Sequence, residues 1–444
     1  MANAFLNSQV YANVMLLLLK NSLVWGRLVD GQFKDQVTNE NGLAISVKKP
    51  PRFVATSGAS LKAQDVVTGS VPISVTEYKN VHISIGDLEY VQSFNDLLKN
   101  ETLKSAAVTL ATDVDKFISR LTLGFHSWVS GGNTDVAGSD ALSNATLLTK
   151  SINKPQAAFA APTRLMAQGV PNANISGVLG YGDGELIRGA LLSDFTPDVN
   201  RTALEKTRIP LISEVDWYST QQIPTLSTGT RTQGNGSSTG SQVSGANQNV
   251  NYRDVKGSGL TAGNIQTLNI TGTTAQTIEA GAVFTIAGVY AWDWRQQVKL
   301  PYLQQFTVLT AATVVSSAAA LSITPAIIVQ GTSDGVNTYA NSAFATVDSV
   351  PADNAYIQFA GAPSINVPVR SVFHKRALAL VSARLEMPFT GVASFATDPD
   401  TGISIRYWRG SDITTGQHVH RWDMIYGGAC MDTELGTRLI GPNS

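Results

Sequence analysis

Leu103, Ala107, Leu110, Val114, Phe117 and Leu121 recur at spacings that alternate four and three. That is the period of one buried stripe on an α-helix. Ala106, Ile118, Phe125 and Trp128 widen the stripe, while Lys104, Thr109, Thr112, Asp113, Lys116 and Arg120 fall on the other faces. The pattern predicts a single helix over residues 100–129, with Asn100 as its cap, Glu101 against the positive end of its dipole and Gly131-Gly132 as its stop. At 1.5 Å per residue such a helix would be about 40 Å long, whereas the usual globular helix has about 11 to 12 residues. Its phase slips near Gly124-Phe125, which argues against a coiled-coil seam. The expectation is a spine buried within its own subunit against long strands nearer the C-terminus.

The flanking pattern is mostly strand and loop. Residues 6–20 predict a short helix with Leu6, Val10, Val14 and Leu17 on one side, an arm that docks on another surface. Leu43, Ile45 and Val47, and later Val71, Ile73 and Val75, alternate with neighbours of a second face. Between them Lys48-Lys49-Pro50-Pro51-Arg52-Phe53 holds two prolines and three cations. Proline cannot donate to a sheet ladder, so this is an exposed, extended loop. With about 12 residues per limb at about 3.3 Å each, it would reach roughly 40 Å, far enough to touch a neighbouring subunit.

Residues 133–153 are a polar linker, and residues 159–217 mix short helices and strands, with Gly180-Tyr181-Gly182-Asp183-Gly184 as a turn. Residues 225–251 are rich in Gly, Ser, Thr, Asn and Gln, with Arg231 the only charge before Tyr252. This composition predicts a mobile linker without a core. Strand patterns at 265–270, 282–289, 306–309 and 321–329 predict a small inserted barrel or sandwich. Longer strands at 372–385, 403–408 and 419–425 close the chain.

Composition narrows the function. The chain has 444 residues, a net charge of −1 and 15% charged residues, against a usual value of roughly 25%. Such a surface suits a protein that hides much of its exterior against neighbours, although β-rich monomers share it, and it offers no global positive field for nucleic acid. Cys430 is the only cysteine, which excludes an intrachain disulfide and a cysteine-based zinc site. The apolar run at residues 14–19 is too short to span a bilayer, so a soluble protein without a membrane partner is expected.

The candidate chemical motifs fail on context. Gly236-Ser237-Ser238-Thr239-Gly240 matches a nucleophile elbow but lacks the strand and helix that strain the serine turn. The glycines at 180, 182 and 184 have neither dinucleotide spacing nor a phosphate-loop lysine. Asp398 and Asp400 open like a calcium loop without its later ligands. His418 and His420 would share a strand face, with no third metal ligand suggested. Asp113 and Asp115 point in different directions from the helix. No enzyme, cofactor or metal is expected, and a carbohydrate-processing β-protein would need clustered carboxylates that are dispersed here.

Three stretches carry a family resemblance. They are Gly42-Leu43-Ala44-Ile45-Ser46-Val47-Lys48-Lys49-Pro50-Pro51-Arg52-Phe53, followed by Gly58 and Gln64-Asp65-Val66; Phe373-His374-Lys375-Arg376-Ala377-Leu378-Ala379-Leu380 running to Leu385-Glu386-Met387-Pro388; and Gly402-Ile403-Ser404-Ile405-Arg406 with Arg421-Trp422-Asp423-Met424-Ile425-Tyr426-Gly427. In this order they resemble the major coat proteins of short-tailed phages of the Salmonella P22 type, which have the HK97-like capsid fold. The resemblance implies an α+β chain with an N-terminal arm at 1–35, an extended loop at 36–90, a spine helix at 91–132, a first axial part at 133–222, an inserted β-barrel at 223–340 and closing axial and peripheral strands at 341–444. It implies a structural role in an icosahedral head, T=7 by family habit, a procapsid that expands around double-stranded DNA. A tail or decoration protein would lack this order of parts. Lys48, Lys49, Arg52, Phe53, Gln64 and Asp65 become candidate contacts between subunits. The implied partners are the chain itself in hexamers and pentamers, scaffolding and portal proteins, optionally a decoration protein, and packaged DNA contacted non-specifically. The implied location is the virion, after assembly in the host bacterial cytoplasm.

Overall fold

The computed structural model describes residues 8–33, 43–55, 58, 64, 66, 68–86, 101–130, 155–194, 214–232, 240–255, 264–331, 338–361, 363–412 and 416–440. They form an α+β chain of two units: residues 1–46, 72–121 and 378–429, and residues 47–71, 122–377 and 430–444.

In the first unit an antiparallel sheet runs in the order Ala44–Lys48, Ser70–Gly86, Gln417–Cys430, Ser404–Asp412, Val392–Thr397, with Leu378–Ala383 also pairing to Gln417–Cys430. Side chains alternate across a strand, so Ile405, Tyr407, His420, Trp422, Met424 and Tyr426 share one face, and all six are buried. Two helices cover that face. Phe117 of the Glu101–Leu121 helix meets Tyr426 edge-on at 5.4 Å, and Tyr11 of the Ser8–Ser22 helix stacks on Tyr407 at 5.3 Å. Gly427 sits at a register shift opposite Val75, where a Cβ would collide with the Ser74 carbonyl.

The long helix buries Leu103, Ala106, Ala107, Leu110, Val114 and Ile118 of the expected stripe together with Ala111, while Phe117 and Leu121 are half-buried. It is shorter than its sequence pattern. It ends at Leu121 after 21 residues, about 32 Å. One 3-10 turn, Thr122–Gly124, then leads to the strand Ser127–Ser130. Phe125 and Trp128 are buried, but outside the helix: parallel pairing of Ser127–Ser130 with Gly436–Ile440 overrides the helical period. Asn100 and Gly131-Gly132 lie outside the described residues. The N-terminal helix corrects a second expectation. Tyr11, Ala12, Met15 and Leu19 face inward while Val10 and Leu17 are exposed, because the aromatic anchor on Tyr407 sets the rotation; Leu6 lies outside the described residues.

The second unit contains a mixed sheet in the order Ser127–Ser130, Gly436–Ile440, Asn366–His374, Ile175–Leu179, Val215–Ser219. Ala161 and Leu165 of the Pro155–Ala167 helix pack with Val129, Ile175, Leu179, Val215, Val372 and Leu439. The predicted strand at 372–385 is in fact two, Asn366–His374 and Leu378–Ala383, split by the 3-10 turn Lys375–Ala377 and assigned to different sheets. Gly180-Tyr181-Gly182-Asp183-Gly184 is no free turn either. It starts the Tyr181–Asp194 helix, with Asp183 accepting the Gly180 N–H at 3.2 Å as the third residue of a capping box does.

The same unit holds a six-stranded antiparallel barrel. Its order is Gln242–Val243, Gln266–Thr271, Ala318–Thr324, Val298–Val308, Val283–Asp293, Ile357–Phe359. The ring closes through a bridge from Gln242 to Tyr356 and the bonds Val243 N to Ala355 O and Ile357 N to Ser241 O, each 2.9 Å. Val243, Leu268, Ile270, Phe284, Ile286, Phe306, Leu321, Ile323, Ile357 and Phe359 fill it. The linker expected at 225–251 is therefore largely built in. Thr225–Ser227 pairs with residues 366–368, Gln242–Val243 is a barrel strand, and Leu226, Thr228, Arg231 and Val243 are buried. A short polar segment gained its core from distant strands, which composition alone does not register. Residues 233–239 lie outside the described set, and with them all of the Gly236–Gly240 motif except Gly240.

Candidate assembly surfaces

The proline-rich loop leaves the sheet beyond Lys48, and its root is tied to its own subunit. Arg52 donates to Glu434 at 2.6 Å and lies over the rings of Trp294 at 4.8 Å and Phe344 at 5.4 Å. Burial works to raise the Glu434 pKa, but the Arg52 charge outweighs it and holds the carboxyl below its usual range. Lys49 stands 3.9 Å from Asp432. Val54 packs beside Tyr252 and Phe344, and Gln64 reaches across the loop to accept the Val54 N–H and donate to its carbonyl. Of the six candidate contact residues, Lys49, Arg52 and Gln64 are thus engaged at the root. Lys48 and Phe53 remain exposed, and Asp65 lies outside the described residues. Sequence reading missed Asp432, Glu434, Trp294 and Phe344. The acids of Asp432-Thr433-Glu434 match the loop's cations in charge, but nothing local joins segments 380 residues apart.

The outer face of the first unit's sheet carries a second arrangement. Buried Asp423 accepts from Arg406 at 2.6 Å and Arg421 at 2.5 Å, and Arg421 also donates to the Tyr78 hydroxyl at 2.8 Å. Trp408 lies beside both guanidiniums, 5.9 Å from each. A pocket of about 480 Å³ opens among Thr390, Gly391, Trp408, Gly410, Ser411, Val419 and Arg421.

The barrel meets the mixed sheet along a polar seam. Gln305 accepts the Trp128 N–H at 2.9 Å and donates to the Trp128 carbonyl at 3.2 Å. Thr307 donates to the Phe125 carbonyl, and Arg438 donates to Gly281 O and Thr307 Oγ1, both at 2.7 Å. Burial lowers the Arg438 pKa to about 9. These bonds fix the barrel's orientation by direction, where an apolar contact would tolerate sliding.

No group of three His, Cys, Asp or Glu able to hold a metal occurs among the described residues. His420 is buried with Nδ1 2.6 Å from the Tyr407 hydroxyl, and Asp398 and Asp400 hold Lys20 at 2.9 and 2.5 Å. Asp113 accepts from Tyr426, whereas Asp115 is buried and accepts the N–H groups of Val24 and Gly26. No described helix is long and apolar enough to cross a membrane.

No curated protein sequence matches the chain. Among solved structures it is similar to one from Mycobacterium phage Che8, at 12% identity over 94% of this chain and 90% of that one, with a TM-score of 0.41. The capsid structure of Cyanophage P-SCSP1u gives 10% identity over 95% and 89%, with a TM-score of 0.42. The CUS-3 coat protein I-domain is 28% identical over 28% of this chain and 97% of that one, with a TM-score of 0.20. Residues 219–441, half of the chain, match the family described as P22 coat protein, gene protein 5. That span takes in the barrel, the Gln305, Thr307 and Arg438 side of the seam and the closing strands of both units, and the chain belongs to the P22 coat protein family of structural, capsid-forming proteins.

Proposed function

We propose that the subunit assembles into a closed icosahedral head of hexamers and pentamers with an HK97-like architecture, in which the loop after Lys48 and the N-terminal arm overlap neighbouring subunits. The family match over residues 219–441 carries this reading. The exposed Lys48 and Phe53 beside a tied loop root support the overlap. On this reading residues 36–90 are the extended loop, 91–132 the spine, and the barrel an insertion between axial segments. Scaffolding protein guides assembly in the host cytoplasm around a portal. The shell has a T=7 lattice, accepts a decoration protein where one is made, and expands as DNA enters, touching that DNA without sequence preference.

Electron microscopy of the purified chain, alone and with scaffolding protein, tests this: closed shells are expected, and a persistent monomer under both conditions overturns it. Deleting residues 50–66 should leave a folded subunit that forms no stable shells. Normal assembly of that variant would remove the loop from the contact.

A further inference from the structure

Phe389 stands wholly in solvent, with a relative exposure of 106%, and Met387 and Val392 beside it are also exposed. An apolar ring at a loop tip is unfavourable in water, and here the loop is held in place. Arg406 donates to the Glu386 carbonyl at 2.6 Å and Trp408 Nε1 to the Thr390 carbonyl at 3.0 Å. Pro388 restricts the backbone on one side of the ring. On the other, Gly391 has φ +85° and lies so close to the Arg409 carbonyl that a Cβ would meet it at 2.5 Å. The ring is therefore displayed on a fixed support. Next to it opens the pocket of about 480 Å³, whose wall begins at Thr390 and Gly391 and continues through Trp408, Gly410, Ser411, Val419 and Arg421. A cavity of roughly 150 Å³ already accommodates a benzene ring. Knob and socket lie side by side on one surface, and the knob leaves its own socket empty.

We propose that Phe389 of one copy inserts into the Trp408–Arg421 pocket of a second copy, forming a head-to-tail contact of the shell. The occupant is an aromatic ring because Trp408 and Arg421, whose guanidinium lies 5.9 Å from the indole, line the pocket and offer a ring both a stacking and a cation–π surface. Residues 387–392 are Met-Pro-Phe-Thr-Gly-Val, with no charge of their own. Inserted one way rather than reciprocally, the contact is heterologous, and repeated about a symmetry axis it closes into a ring. A preorganised aromatic in a desolvated pocket is the usual energetic centre of such an interface.

The proposal rests on the capsid reading, and the experiment separates the two. The photo-reactive analogue p-benzoylphenylalanine replaces Phe389 in the full chain, and parental shells assembled in parallel establish capsid formation independently. Irradiation of assembled variant shells should give dimers joined to the peptide spanning Trp408 to Arg421, while unassembled subunits give none. The socket-filling variant Ser411→Trp should lose that adduct, and Phe389→Ser should slow shell formation at least tenfold while its monomer melts at the parental temperature. Adducts on another peptide or within one chain, or Phe389→Ser subunits that assemble at the parental rate, would overturn the contact while leaving the shell itself standing.

Discussion

Replacing Asp183 with alanine strands a buried guanidinium, and the cost follows from the geometry. Arg370 Nε and Nη2 each meet an Asp183 oxygen at 2.6 Å, with the two side chains 0% and 3% exposed. Asp183 also accepts the Gly180 N–H at the start of the Tyr181–Asp194 helix. Removing one partner of a buried pair costs about 3–5 kcal/mol, because the survivor keeps its charge without water. The lost helix cap adds about 1 kcal/mol. Asp183→Ala should therefore destabilise the unassembled subunit by about 4–6 kcal/mol, a large share of the roughly 5–15 kcal/mol that holds a typical domain. Urea titration followed by circular dichroism measures the loss. The double variant Asp183→Leu with Arg370→Met substitutes apolar groups for both charges, and it should return to within about 2 kcal/mol of the parent. A single variant within about 1 kcal/mol of the parent, or a double variant no more stable than the single, would refute this reasoning.

Leu110, 2% exposed on the long helix, should cost about 2–5 kcal/mol as alanine, and Leu110→Asp should yield no folded subunit. A soluble, folded but shell-incompetent Leu110→Asp protein would place that stripe at an interface instead. Arg52→Gln should lower stability by about 2 kcal/mol by breaking the Glu434 bond and the ring contacts. Thermal melting at low and high salt checks it, with the larger loss expected at low salt. Burial holds His126 at about 3 and His420 at about 4, both below an unfolded value of 6.5. Their contribution is complete above pH 6.5 and is lost as pH falls toward those values. Burial of Asp115 raises it from 3.8 to about 6, so its penalty is relieved over the same descent. The balance is a loss of roughly 2–3 kcal/mol between pH 7 and 5, and unfolding curves that are flat or improve over that range would contradict it.

How far the sequence could be read depended on where each segment finds its partners. The stripe from Leu103 to Ile118 was legible because its period is local and its burial follows that period. The end of the helix was not: Phe125 and Trp128 continue the apolar pattern, yet Phe125 bonds back to Thr122 in a turn and Trp128 sits in a strand opposite Arg438, near the other end of the chain. The same holds for residues 225–232, whose composition reads as linker while Leu226 is covered by a strand beginning at Asn366. On the loop, the cations were visible but their acids were not. Arg52 looked free for a neighbour because Glu434 lies near the other end of the chain. Four of the barrel strands were recognisable one by one, whereas the two that close the ring, Gln242–Val243 and Ile357–Phe359, are short and lie far apart in the chain, joined by a bridge from Gln242 to Tyr356.

Burial also changes what the low charge content means. Arg164, Arg231, Arg370 and Arg438 are all nearly inaccessible, and Arg370 pairs with the Asp183 carboxylate. Arg438 and Arg231 bond to backbone carbonyls, and Arg164 stacks on Tyr302 at 3.8 Å and donates to Ser127 and Gln305. Among the described residues these four arginines fix internal orientation while Asp115, Asp183, Asp398 and Asp423 are buried too, so the exterior carries less charge of both signs than the composition states. A surface so depleted has little long-range repulsion between like copies. Contacts between copies must then come from shape and apolar groups at defined points, and a rigidly held Phe389 beside an open pocket meets that requirement.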